Sequence, residues 1–448
     1  MGAGRSVALG RAAFGPRRSL ILPLCVAISL AAGGGLVPGV GGTPAVGQIA
    51  GGYRPSAVSR AMNPVTFRKI LTGRNESHRL ELVRRLVTDV ETRSRANDEI
   101  VDGLRVWLDM AVSRDPLPPS VAESVRLLAR MRGPGSDELL LETLGHDRLE
   151  LAMLTADALG ASRRLEFIGH LADSRDDPRY AVNYGFRFNL VRSLLRMRHP
   201  DAYEVLGRWE RQLDGQLGHE LGQQLDEVVR EDFHGDDERF LAWKRQTGRA
   251  EDESRIRLAS DSGSQAGIRL APSHYYGIPI HAKRIVFVID CSGSMNVPAY
   301  GGTRIGHAKR ELVRAIGELP ETAEFTVIAF HEQVFRWKAD LVPASPENRA
   351  KAMRYVAALA TMKSTNTYGA LREAMGVSDD LEAIFLVSDG EPNRGEIRSP
   401  PLIVRDISAR NEYRNLVIHS VGVAVSGPTQ EFMRQLAENN AGEFRAID

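Results

Sequence analysis

Residues 284–295 read "RIVFVIDCSGSM". The first half is an unbroken apolar run rich in β-branched side chains. A strand with one wet face would alternate apolar and polar residues. This one does not, so it predicts a strand buried on both faces. The run stops at Asp290 and gives way to Ser292 and Ser294, with Gly293 letting the loop bend. Alone, the stretch admits a nucleophile, a phosphate cradle, a helix cap or a metal site.

The rhythm downstream narrows the fold. "GHAKRELVRAIGEL" predicts an amphipathic helix, followed by strand "EFTVIAF", short strand "VFRW" and helices "PENRAKAMRYVAALA" and "YGALREAM". Strand "AIFLVSD", helix "PPLIVRDISARNE", strand "LVIHSVGV", helix "TQEFMRQLAENN" and strand "EFRAI" complete it. Strands alternating with helices predict an α/β fold with a doubly wound, mostly parallel sheet and one short antiparallel edge. Ligands in such sheets bind at the carboxyl ends of the strands.

Three loops bring oxygen groups to that edge: Asp290, Ser292 and Ser294; Thr365 and Thr367 in "STNTYGAL"; and Asp389 in "SDGEPN". Two carboxylates with several hydroxyls, and no Cys or His partner in the motif, form a hard oxygen site. Such a site suits Mg²⁺, Mn²⁺ or Ca²⁺ over Zn²⁺. Taken singly, each motif also reads as a turn or helix cap; the three together favour the metal. Cys291 has no basic partner in sequence and reads as a small packed residue. His331 and Glu391 read as surface residues near the same edge. A metal-dependent phosphohydrolase is the enzymatic competitor. It lacks a GxxxxGK[ST] loop, and only Lys309 and Lys363 offer lysine charge near the motifs.

"DCSGSM" resembles the Asp-x-Ser-x-Ser motif of the von Willebrand factor type A (VWA) domain, "TNTYGAL" its threonine loop and "SDGEP" its second aspartate loop. The three occur in the family's order, and the resemblance covers 282–448. It implies a metal-ion-dependent adhesion site binding Mg²⁺, with Mn²⁺ or Ca²⁺ as alternatives. By position, Ser292 and Ser294 would ligate directly. Thr365 would join them in the ligand-bound state, with Thr367 as the alternative one step away. Asp290 and Asp389 would act mainly through waters. The resemblance also implies a protein partner that donates an acidic residue to the metal, and no enzyme activity.

Upstream, residues 64–246 show apolar residues at helical spacing throughout, as in "LELVRRLVTDV". "LLARMRGPGSDELLLETL" from Leu127 and "SLLRMRHPDAYEVLGRW" from Ser193 share one plan: an apolar helix ending in Met-Arg, a Pro-containing turn and a second helix. "ADALGASRRLEFIGHLA" from Ala156 is a weaker copy. This region is similar to HEAT-type repeats, with a plain helical bundle as the alternative. His170, His199, His219 and His234 are scattered singly and form no ligand cluster. Residues 247–279 read as a linker and 280–448 as the VWA domain.

The N-terminus carries Arg5, Arg11, Arg17 and Arg18 before the uncharged run "SLILPLCVAISLAAGGG". That order predicts an export signal over 1–45, cleaved after Ala45 or kept as a membrane anchor. "PRRSLI" resembles a twin-arginine signal, and the style suggests a bacterial source. Residues 46–63 read as flexible. The expected location is extracytoplasmic, with membrane contact only through that anchor. Two cysteines in 448 residues exclude a disulfide framework. A net charge of +1 and 6% aromatics argue against nucleic acid.

Overall fold

The computed structural model describes residues 64–90, 98–232, 237–246, 272–299 and 302–447. The expected leader, the expected flexible segment, most of the expected linker and His234 lie outside them. Contacts divide the described chain at Glu142/Thr143 into two compact units.

In the first unit, α1 (Pro64–Thr72) packs on α3 (Asp98–Ala111). α2 (Glu76–Val90) packs on α4 (Pro119–Arg130), and α5 (Pro134–Leu144) opens after it. α4 buries Val121, Val125 and Leu128, which stand three and four residues apart on one stripe. Pro119 at its first position gives up no helical bond, because N–H groups there have no partner inside the helix. α1 and α3 approach closely: a Cβ on Gly103 would lie 2.6 Å from the Phe67 ring. Arg79 is fully buried. It donates to the Leu71 carbonyl at 2.6 Å and lies 3.7 Å over the Trp107 ring, which offsets the cost of burying its charge.

The second unit opens with α6 (Leu149–Ala161), α7 (Ile168–Asp173), α8 (Pro178–Val182), α9 (Tyr184–Met197), α10 (Pro200–Glu210), α11 (Gly215–Asp232) and α12 (Asp237–Gln246). α9 contacts α6, α7, α10 and α11. A helix so enclosed needs no polar face, and nearly all of its residues are buried. The shared plan of the two copies is visible in the termini. α4 stops before Met131, α9 stops at Met197 with Arg198 in the left-handed conformation, and α5 and α10 both begin on proline.

β1 (His274–Tyr275) and β2 (Ile278–Pro279) form a tight hairpin through Tyr276 and Gly277, both at positive φ. Then follow β3 (Arg284–Asp290), β4 (Pro298–Ala299), β5 (Gly302–Thr303), α13 (Arg304–Glu318), β6 (Glu324–Phe330), β7 (Val334–Arg336), β8 (Val342–Pro343) and α14 (Pro346–Ala358). α15 (Thr367–Met375), β9 (Ala383–Ser388), α16 (Pro400–Arg410), β10 (Val417–Val423), α17 (Gly427–Glu438) and β11 (Phe444–Ile447) complete the chain.

The main sheet runs β11-β10-β9-β3-β6-β7. Its central pairs are parallel, as the unbroken apolar runs require. The antiparallel edge holds two short strands, β7 and β8, both on β6, where the sequence showed only the first. Alternate residues of β3 enter opposite layers. Ile285, Phe287 and Ile289 join a core with Leu312 and Ile316 of α13 and Val356 of α14. α15 contacts the same strand from another helix layer.

The helices of this unit meet the sheet at the amino end of its strands. Glu382, just before β9, is 2% exposed. Its carboxylate accepts the N–H of Gln216 at 2.8 Å, the N–H of Lys283 at 3.0 Å and Arg284 Nη1 at 2.7 Å. The Gln216 contact places a carboxylate on the first turn of α11, where the helix dipole favours it. Arg284 Nε also meets Asp380 at 2.8 Å, and Arg187 of α9 donates to the same carboxylate. Gly185 of α9 brings the backbones together: a Cβ there would lie 2.8 Å from the Tyr413 carbonyl oxygen.

Candidate metal centre

Adjacent parallel strands set the geometry. Ile289 of β3 lies opposite Val387 of β9, so Asp290 and Asp389 leave the sheet side by side. Two backbone bonds gather the neighbouring loops. The Cys291 N–H donates to the Phe330 carbonyl at 2.7 Å, and the Met362 N–H donates to the Cys291 carbonyl at 2.8 Å. The second bond draws the threonine loop onto the end of β3. A third bond, from the Asn366 N–H to the His331 carbonyl at 2.8 Å, anchors that loop to the end of β6.

Asp290 is fully buried. One oxygen accepts the Ser292 N–H at 2.7 Å, and the other accepts the Ser388 hydroxyl. Burial pushes its carboxyl up to about 6; the Ser388 and Ser292 bonds oppose the rise, and the nearby Asp389 charge adds to it. The Ser292 and Ser294 hydroxyls lie 3.0 Å apart. Ser294 donates to Asp389 Oδ1 at 2.8 Å. The other Asp389 oxygen accepts Arg304 Nη1 at 2.7 Å.

Thr365 is 2% exposed. Its N–H donates to Asn393 Oδ1 at 2.9 Å, and its carbonyl accepts the N–H groups of Asn393 and Arg394. The absence of a side chain at Gly390 leaves room beside two hydroxyls. A Cβ there would stand 3.4 Å from Ser294 Oγ and 3.7 Å from Thr365 Oγ1. Thr367 begins α15 behind its cap, Asn366, and its buried hydroxyl has no hydrogen-bond partner.

The five expected residues therefore surround one edge of the sheet. Asp290, Ser292, Ser294 and Asp389 are tied by hydrogen bonds, and Thr365 faces the same glycine as Ser294. Sequence reasoning missed three supports: Ser388, Asn393 and Arg304. Ser388 ends β9 and Asn393 follows a bend, and neither has a signature of its own. Arg304 had one faint sign, a basic residue at the start of a helix, where the dipole disfavours it.

The donor set is two carboxylates and three hydroxyls. Among the described residues no three His, Cys, Asp or Glu side chains converge, so soft or nitrogen-rich coordination has no ligands here. An activated nucleophile is also missing from this cluster. Cys291 is 2% exposed, and burial pushes its thiol up to about 12. His331, expected at the surface, is only 9% exposed, and its Nδ1 accepts the Glu332 N–H at 2.7 Å. Lys309 donates to the carbonyls of Ala357 and Leu359, away from the carboxylates. Glu391 is exposed.

Residues 285–391 match the family model described as von Willebrand factor type A domain. The chain is 30% identical over 189 residues to inter-alpha-trypsin inhibitor heavy chain H4 of Homo sapiens, covering 39% of this chain and 19% of that protein. It is 28% identical over 188 residues to heavy chain H2 of Homo sapiens, again covering 19% of the relative. The chain thus spans about a fifth of the length of these relatives. A solved von Willebrand factor type A structure from Catenulispora acidiphila is similar at 22% identity, covering 38% of this chain and 40% of that one, with a TM-score of 0.33.

Proposed function

We propose that the cluster holds a divalent cation and that this domain is a non-enzymatic, cation-dependent protein-binding module. The carrying observation is the hydrogen-bonded series Ser292–Ser294–Asp389 beside Asp290 at the carboxyl edge of the central strands. A hydroxyl that gives its proton to a carboxylate turns its lone pairs outward. Ser294 does so, and the rest of the expected donor set is oxygen, with the Arg304 guanidinium on its flank. That chemistry fits Mg²⁺ first, with Mn²⁺ or Ca²⁺ as alternatives. Ser292, Ser294 and Thr365 would hold the ion, and Asp290 and Asp389 would act mainly through waters. A bound cation would supply Lewis acidity at a position left open to a partner's carboxylate. The export signal read in the sequence puts this activity outside the cytoplasm. No described helix is long and apolar enough to cross a membrane.

The test is calorimetric titration of Mg²⁺ and Mn²⁺ into the full chain and its Asp290→Ala variant, with partner capture in the presence and absence of EDTA. The proposal requires metal binding that the variant loses and capture that EDTA abolishes. Equal metal binding by both proteins would sink the site. A second reading makes the helices the partner surface and the metal a stabiliser. The bonding of α9 and α11 to the sheet favours it, and it requires capture to survive EDTA.

A further inference from the structure

Arg304 is a costly residue in its position. It is the first residue of α13, where a cation meets the positive end of the helix dipole. Its Nε is buried and has no hydrogen-bond partner. Among the described residues Asp389 is its one carboxylate partner, and that side chain is fully buried while Arg304 is 20% exposed. The contact is single: Nη1 reaches Asp389 Oδ2, with no fork-to-fork pairing. A helix start that needed only a cap already has one, because Thr303 accepts the Gly306 N–H. The arrangement makes sense if the charge is wanted at Asp389.

We propose that Arg304 is a tethered counter-ion that competes with the divalent cation for Asp389. This rests on the metal-site reading above. Asp290 and Asp389 are two buried carboxylates, and a buried charge is costly unless it is paired. Arg304 supplies the pairing charge at Asp389 when no metal is bound. An entering divalent ion takes over the neutralisation, and its charge repels the guanidinium. Arg304 then turns toward water from its partly exposed position. The price of holding the empty site together is a weaker affinity for the metal. The released guanidinium would stay tethered near the site at the start of α13, where it would favour an acidic partner.

The sign of two effects separates this role from simple structural support. A structural residue, once removed, weakens both the metal-free fold and metal binding. A competitor weakens the first and strengthens the second. Arg304→Gln in the full chain is expected to melt lower than wild type in EDTA, yet to bind Mn²⁺ about tenfold or more tightly by calorimetry. Arg304→Lys, which keeps the charge, is expected to stay near wild type in affinity. Equal or weaker Mn²⁺ binding by the Gln variant overturns the inference while wild type binds and Asp290→Ala does not. If wild type itself shows no binding that Asp290→Ala removes, the metal-site reading falls as well. A second measurement needs no variant: labelling of Arg304 by phenylglyoxal, read by peptide mass spectrometry, should speed up several-fold in saturating Mn²⁺. Unchanged or slower labelling overturns the inference.

Discussion

The two ends of the main sheet are built from the same residue types and treated in opposite ways. At the amino end, Glu382 meets two backbone N–H groups and a guanidinium, and Asp380 meets Arg187 and Arg284. At the carboxyl end, Asp290 and Asp389 accept mainly from short hydroxyls and one backbone N–H, with a single guanidinium on the flank. Donors from three chain segments close the first network around the join between helices and sheet. In the second, two of the four donors are hydroxyl oxygens with lone pairs to spare. Buried acid alone therefore does not mark a binding site. The proposed site differs in holding acid whose neighbours can still accept.

The largest effect should come from breaking the closed end. Glu382→Ala leaves two backbone N–H groups without an acceptor and Arg284 with one carboxylate fewer, which costs about 3–5 kcal/mol. Urea unfolding should show that loss equally with and without Mg²⁺. A loss that appeared only in one condition would erase the contrast between the ends.

Asp290→Asn attacks the open end. It keeps an acceptor for the Ser292 N–H but removes the buried charge. Metal affinity should fall by about 100-fold, while stability in EDTA stays level or rises by about 1 kcal/mol. Calorimetry and urea curves in EDTA check both parts. A large stability loss in EDTA would make this end structural too.

Acidity sharpens the comparison from the side of β10. His419 is buried, and desolvation holds its imidazole down to about 3, with His281 adding to the effect. Its Nδ1 accepts the Glu443 N–H at 3.0 Å, so the folded state requires it neutral. A depressed folded-state value means that its contribution is full above about 6.5 and is lost as pH falls toward 3. Between pH 6.5 and 5 the loss should be on the order of 2 kcal/mol. His419→Asn, which keeps an acceptor, should flatten that part of the pH–stability curve; an unchanged slope would assign the acid sensitivity elsewhere.

The smallest effect concerns the close approach beside the closed end. Gly185→Ala puts a methyl against the Tyr413 carbonyl and the Arg414 backbone. Rigid backbone there should make it cost about 1–2 kcal/mol, read as a lower midpoint with metal affinity intact.

The open end was legible in the sequence, and the closed end was not. β3, β6, β9 and β10 are covered on both faces, so burial wrote itself into unbroken apolar runs. The strand boundaries fall within a residue of those read from them. The site residues sit within a few positions of strand ends or helix starts, where short motifs carry them. Arg187 and Asp380, by contrast, are 193 residues apart. Each alone looks like an ordinary solvated charge, and only the fold reveals the pairing. Arg304 escaped for the same reason, since its partner lies 85 residues away.

The join between α9, α11 and the amino end of the sheet has a mechanical consequence. A partner pulling at Asp290, resisted through those helices, would send tension lengthwise along β3. That strand is flanked on both sides by parallel ladders to β6 and β9. Load along such a strand shears both ladders at once, so their bonds share the force and do not peel in turn. The domain is wired to carry strain from one end to the other, like a rope gripped at its two tips.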